Sequence, residues 1–143
     1  MKKTQEILTN LIKHMGFSDV SVSYTDESRR FSIFINDAPF LIKLLPQFVS
    51  DLDFVAKMIS KKHDDALVFV DVNNYRKERE ELIIKLAKAA ARKALATKES
   101  ITLPPMNAYE RRIVHTELAM NPDLKTESEG IGKERKIVIK HII

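Results

Sequence analysis

Residues 101–139 read ITLPPMNAYERRIVHTELAMNPDLKTESEGIGKERKIVI, and this stretch decides the fold of the second half of the chain. Ile101-Thr102-Leu103 is short and β-like, and Pro104-Pro105 ends it by removing two backbone donors in succession. Asn107-Ala108-Tyr109-Glu110 has the form of a capping box, with Asn at the cap and Glu three residues later. The helix that it opens reaches about Met120 and stops before Asn121-Pro122. LKTESEG and RKIVIKHII then read as two strands, with Gly130 and Gly132 in the turn between them.

Working back from this stretch, Asn73-Asn74 is a candidate cap for an alanine-rich helix from Tyr75 to about Thr97. Lys85, Lys88 and Arg92 lie on one face of that helix, which reads as an ordinary solvated face or, alternatively, as an extension of a cationic track. The second half is therefore α-β-α-β-β. Before it, residues 66–72 (ALVFVDV) are a valine-rich run expected as a strand buried on both faces. Ile7, Leu8, Leu11, Ile12 and Met15 recur at helical spacing, and Gly16 stops that helix. Val20, Val22 and Tyr24 alternate with polar residues, as do Phe31, Ile33 and Ile35, giving two strands. Residues 38–45 form a short helix that meets a longer one at Leu45-Pro46, and the longer one runs to about Lys62. The first half is thus α-β-β-α-α-β, the fold class is α/β (α+β), and the expected domains are 1–72 and 73–143.

Composition excludes several functions. The chain has no cysteine, which removes disulfide frameworks, thiolate nucleophiles and cysteine-ligated metals. Apolar runs are far too short for a membrane helix, and the lysines near the N-terminus are followed by no apolar stretch of a signal peptide. No nucleophile elbow, paired metal-binding histidines or phosphate-cradling glycine loop is present, so no enzyme, metal or cofactor is expected. The adjacent carboxylates Asp64-Asp65 and Glu80-Glu81 read as solvated charges. The net charge of +4 is uneven: residues 1–65 balance, and residues 66–143 carry all of the excess. From charge alone a basic second half reads first as an ordinary solvated surface with a basic bias, and alternatively as a surface that faces an anionic partner.

On the helix after Asn107, Arg111 and His115 are one turn apart, about 40° from each other around the axis. Ile113, Val114 and Leu118 set the core direction, so Arg111 and His115 fall on the border of the buried stripe while Arg112 points to water. A border position braces the side chain and leaves its polar end outward. Arginine offers a planar fork to phosphate, and histidine either donates to phosphate or stacks.

Residues 103–139 as a whole resemble the small single-stranded nucleic-acid-binding domain named for its Arg-x-x-x-His (R-3-H) motif, here Arg111 to His115. VFVDVNNYRKEREELI (68–83) and the Ser128-Glu129-Gly130 turn narrow the resemblance to Jag-type bacterial proteins, in which a type II K-homology (KH) domain is fused to an R-3-H domain. The α-β-β-α-α-β order of residues 1–72 extends it over the whole chain. The resemblance implies a non-enzymatic, cytoplasmic protein that binds single-stranded RNA or DNA, RNA foremost, in post-transcriptional regulation. The expected contacts are Arg111, His115, Arg112 and Ser128, with Lys125, Lys133, Arg135 and Lys136 from the basic hairpin.

The chain departs from the family in two ways. Lys43-Leu44-Leu45-Pro46 stands where a KH domain grips the backbone with Gly-x-x-Gly, so that grip is expected to be lost. Leu44 and Leu45 there either turn into the core or dock a protein partner or a second copy, which makes a protein-interaction adaptor the alternative function. Many Jag-type proteins also carry a further N-terminal domain, which this chain is expected to lack.

Overall fold

The computed structural model describes residues 1–63 and 66–142. Asp64 and Asp65, expected as solvated charges, and Ile143 lie outside the described residues. The elements in chain order are α1 (Lys2–His14), β1 (Val20–Thr25), β2 (Arg30–Ile35), a 3-10 turn (Pro39–Lys43), α2 (Leu45–His63), β3 (Phe69–Val72), α3 (Tyr75–Thr97), β4 (Ile101–Thr102), α4 (Ala108–Leu118), β5 (Leu124–Glu129), a second 3-10 turn (Gly132–Glu134) and β6 (Lys136–His141). The protein is a mixed α/β chain that divides into two compact units, Met1–Lys77 and Glu78–Ile143. The first turn of α3 therefore belongs with the first unit.

In the first unit, β2 is the central strand of the sheet β1-β2-β3. It runs antiparallel to β1, from Val20↔Ile35 to Thr25↔Arg30, and parallel to β3, from Arg30↔Phe69 to Ile33↔Val72. Its alternation sends Phe31, Ile33 and Ile35 into a core with Leu8 and Ile12 of α1 and Val49, Leu52 and Ala56 of α2. The third strand is shorter than the run 66–72, because β2 begins only at Arg30 and Phe69 is the first residue with a partner.

The outer edge of β3 is closed by carboxylates. Phe69 and Asn73 donate their N–H groups toward β2, to Arg29 and Ile33, so Val70 and Val72 face the other way. The Val70 N–H meets Asp53 of α2 at 2.9 Å, and the Val72 N–H meets the Asp71 carboxylate at 2.9 Å. That leaves two fewer free donors for a foreign strand.

The helix cap is not where the sequence put it. Asn73 and Asn74 both sit at positive φ (51° and 57°). Asn73 spends its side-chain amide on Ile35, accepting its N–H at 2.9 Å and donating to its carbonyl at 3.2 Å. The buried Asp71 carboxylate instead accepts from the N–H groups of Arg76 (2.8 Å) and Lys77 (3.1 Å) and so caps α3.

The segment 38–45 also differs from expectation. It is one 3-10 turn, in which the Leu44 N–H reaches the Leu41 carbonyl, and α2 starts directly at Leu45. Of the two leucines, Leu45 packs against the core and Leu44 remains 53% exposed.

The second unit has the sheet order β4-β6-β5, antiparallel throughout. Ile137 and Ile139 of the central β6 pack with Leu124, with Val114 and Leu118 of α4, and with Ile83, Ala87, Ala91 and Ala94 of α3.

Asp71→Ala should cost about 2 kcal/mol, because it removes a cap and leaves the N–H groups of Val72, Arg76 and Lys77 without that acceptor. Asp71→Asn should cost less. Urea unfolding of the variants checks this, and an unchanged midpoint for Asp71→Ala would refute the capping role.

Candidate nucleic-acid interface

The site is built on α4. The capping box forms as its residues dictate: the Asn107 side chain accepts the Glu110 N–H at 2.8 Å, and the Glu110 carboxylate accepts the Asn107 N–H at 3.2 Å. Glu110 is held further by the Arg79 guanidinium at 2.7 Å, and the Tyr109 hydroxyl donates to Glu80 at 2.7 Å. These contacts fix the start of α4 against α3, and with it the azimuth of the next turn. Val114 is buried, Arg111 and His115 are half-buried beside it, and Arg112 is exposed.

His115 reaches across to β5. Its Nδ1 is 2.6 Å from the Thr126 hydroxyl, and its Nε2 is 3.2 Å from the Ser128 hydroxyl. Both ring nitrogens are thus engaged, each by a group able to donate or accept. Burial, and then the Arg111 charge, hold the imidazole below its ordinary pKa of 6.5. At neutral pH the ring is uncharged, so one nitrogen donates and the other accepts. Thr126 was absent from the expected set. Its signal was the hydroxyl alternation Thr126-x-Ser128, which puts both side chains on one strand face.

Arg111 is tied to the hairpin through backbone. Its Nη1 donates to the Met106 carbonyl at 2.6 Å, and the Met106 N–H donates to the Arg135 carbonyl at 3.0 Å. The Arg135 guanidinium donates to the Gly130 carbonyl at 2.7 Å. Arg111, Met106 and Arg135 therefore form one linked group, His115 and Ser128 form a second pair one helical turn from Arg111, and four of the five Arg111 N–H donors are not used at Met106.

The other hairpin cations do not join this group. Because Thr126 and Ser128 face α4, strand alternation sends Lys125, Glu127 and Glu129 to the opposite face, beside their partners Lys140, Val138 and Lys136. There Glu127 lies 3.1 Å from Lys125 and 2.7 Å from Lys140. The two lysines hold the Glu127 carboxyl below its usual range, and Glu127 raises Lys140. Lys125 is thus on the wrong face and already paired, while Lys136 shares its face and Lys133 is exposed in the second 3-10 turn. The hairpin cations expected as contacts thus lie on two faces and the tip of the hairpin.

Residues 81–141 match the family model of the R-3-H domain. The chain is similar to the RNA-binding protein KhpB of Clostridium symbiosum, 32% identical over 142 residues that cover 96% of this chain and 64% of that protein. It is 35% identical over 130 residues to the RNA-binding protein KhpB of Bacillus subtilis (strain 168), covering 88% of this chain and 62% of the relative. A protein of the same name from Lactiplantibacillus plantarum is 28% identical over 137 residues, with 42% of its length covered. The chain spans less than two thirds of the length of these curated relatives.

His115 should titrate below 6.5, and Arg111→Ala should move it upward by removing the adjacent positive charge. Proton NMR titration of the imidazole checks both; a wild-type value at or above 6.5 would contradict the buried, charge-opposed environment.

Proposed function

We propose, from the match of residues 81–141 to the R-3-H domain, that the chain binds single-stranded nucleic acid, RNA foremost, through the second unit. The carrying observation is that Arg111, linked through Met106 to Arg135, and His115, set against Ser128, are each held in place before any ligand arrives. Arg111 supplies unused guanidinium donors to a phosphate, Ser128 a hydroxyl, and the exposed Arg112 and Lys133 further positive charge. Lys136 extends the positive charge on the other sheet face, and Lys125, paired with Glu127, contributes little. The relatives are RNA-binding proteins, which points to RNA rather than DNA. This reading gives the chain a place in post-transcriptional control in the cytoplasm and assigns it no catalytic step. Among the described residues no helix is long and apolar enough to cross a membrane.

The first unit is read as a KH-like fold without its grip. Where Gly-x-x-Gly would offer free N–H groups, the Leu44 N–H is spent on Leu41, Pro46 has none, and the Phe48 N–H is spent on Leu44. A second reading, a protein-docking role for this unit, is favoured by Phe40, Ile42 and Leu44, which are exposed together on the 3-10 turn and its end.

Fluorescence anisotropy with a labelled single-stranded RNA, titrated across salt, tests the reading. Three or four phosphate contacts give a log–log slope of about −2 to −3. Arg111→Ala should weaken binding about tenfold by removing a charged hydrogen bond, and Lys43→Ala should leave it nearly unchanged. No binding at low salt, or a larger loss from Lys43→Ala, overturns the proposal.

Binding should also depend on pH. A phosphate beside His115 raises the imidazole pKa in the complex above that of the free protein. The complex then holds more proton, so affinity rises as pH falls through the bound-state pKa and levels off below the free-state value. His115→Ala should flatten that profile.

A further inference from the structure

Ile131 stands at the tip of the β5–β6 hairpin and is 90% exposed. Single exposed apolar residues are common on protein surfaces, so the manner of presentation decides its meaning. The tip is tied at several points. Gly130 and Gly132 take φ values of +94° and +63°, in the region that favours glycine. The carbonyl of Ile131 accepts the Glu134 N–H at 3.3 Å, that of Gly132 accepts the Arg135 N–H at 3.2 Å, and that of Gly130 accepts the Arg135 guanidinium at 2.7 Å. A Cβ on Gly130 would come within 3.0 Å of the Glu134 carbonyl oxygen, so the turn closes tightly on itself.

The same turn is joined to the proposed site. Arg135 links Gly130 to Met106, and Met106 links on to Arg111. Three residues before Ile131 along the chain, Ser128 sits on His115. Two residues after it, Lys133 is exposed. An isoleucine held out by a braced turn, with hydroxyl and cationic groups on both sides in sequence, suits a ligand that alternates anionic and flat apolar surfaces. A single nucleic-acid strand alternates phosphates and base faces in this way. A plain polyanion would leave the isoleucine without a partner.

We propose that Ile131 is a base contact: it packs on the face of one nucleobase of the bound strand, while Lys133 and the Arg111 group hold flanking phosphates. The contact reads no base edge, so it adds affinity without sequence preference. This proposal rests on the nucleic-acid reading of the second unit.

The test compares two labelled strands of equal length and charge, an oligouridylate and an abasic oligomer with the same phosphate backbone. The intact chain should bind the oligouridylate more tightly. Ile131→Ser should lose about three- to tenfold on the oligouridylate, the range for removing a partly buried aliphatic contact. It should leave the abasic affinity and the salt slope unchanged. The chain has no tryptophan, so Ile131→Trp places a single indole at the tip, excited at a wavelength where the three tyrosines do not absorb. Its emission should be quenched by the oligouridylate and hardly altered by the abasic strand. Ile131→Ser binding both strands as the wild type does, or an indole indifferent to the oligouridylate, overturns the base contact and leaves the nucleic-acid reading standing. Failure of the wild type to bind either strand overturns both.

Discussion

The imidazole of His115 bridges α4 and β5, and the geometry of the proposed interface depends on that bridge. With Thr126 on one nitrogen and Ser128 on the other, the ring fixes both the helix azimuth and the strand facing it. Burial and Arg111 keep it uncharged, so the bridge is two neutral hydrogen bonds across a packed seam. Arg111, one turn earlier, is held by backbone rather than by a carboxylate. Its positive charge is therefore not cancelled by a partner there. The site combines a neutral brace with an uncancelled charge, which suits an anion that must be bound without rearrangement.

The charge distribution acquires meaning only on this frame. A surplus of +4 located in the second half suggests a broad basic surface. On the sheet face away from His115, Glu127 gathers Lys125 and Lys140 into a local network that is close to self-neutralising. Arg111, Arg112, Lys133 and Arg135 take no part in that network. Exposed ion pairs of this kind add little stability.

The first unit follows a different constraint, the satisfaction of backbone groups at the sheet edge and at the helix ends. Asp53 and Asp71 place carboxylates on β3, and Asp71 goes on to cap α3. The same economy governs the 3-10 turn, where the donors that a glycine loop would leave open are consumed by local carbonyls.

Local rules made much of the protein legible from the chain alone. Helical and alternating periodicity located the helices and strands, because burial imposes periods of 3.6 and 2 on apolar residues. The capping box announced α4, and its spacing put Arg111 and His115 on one flank with Arg112 outside, as the structure has them. Tertiary structure decided what depends on contacts distant in sequence. Alternation separates Lys125 from Ser128, but which of them faces α4 is set only when β5 packs, and Glu127 pairs with Lys140 only through the β5–β6 register. The cap of α3 fell to Asp71 rather than Asn73, because Asn73 met Ile35 across 38 residues. The links from Arg111 through Met106 and Arg135 to Gly130 run largely through backbone atoms. Every residue type carries those atoms, so no side-chain pattern records such a connection, and only the folded chain makes it.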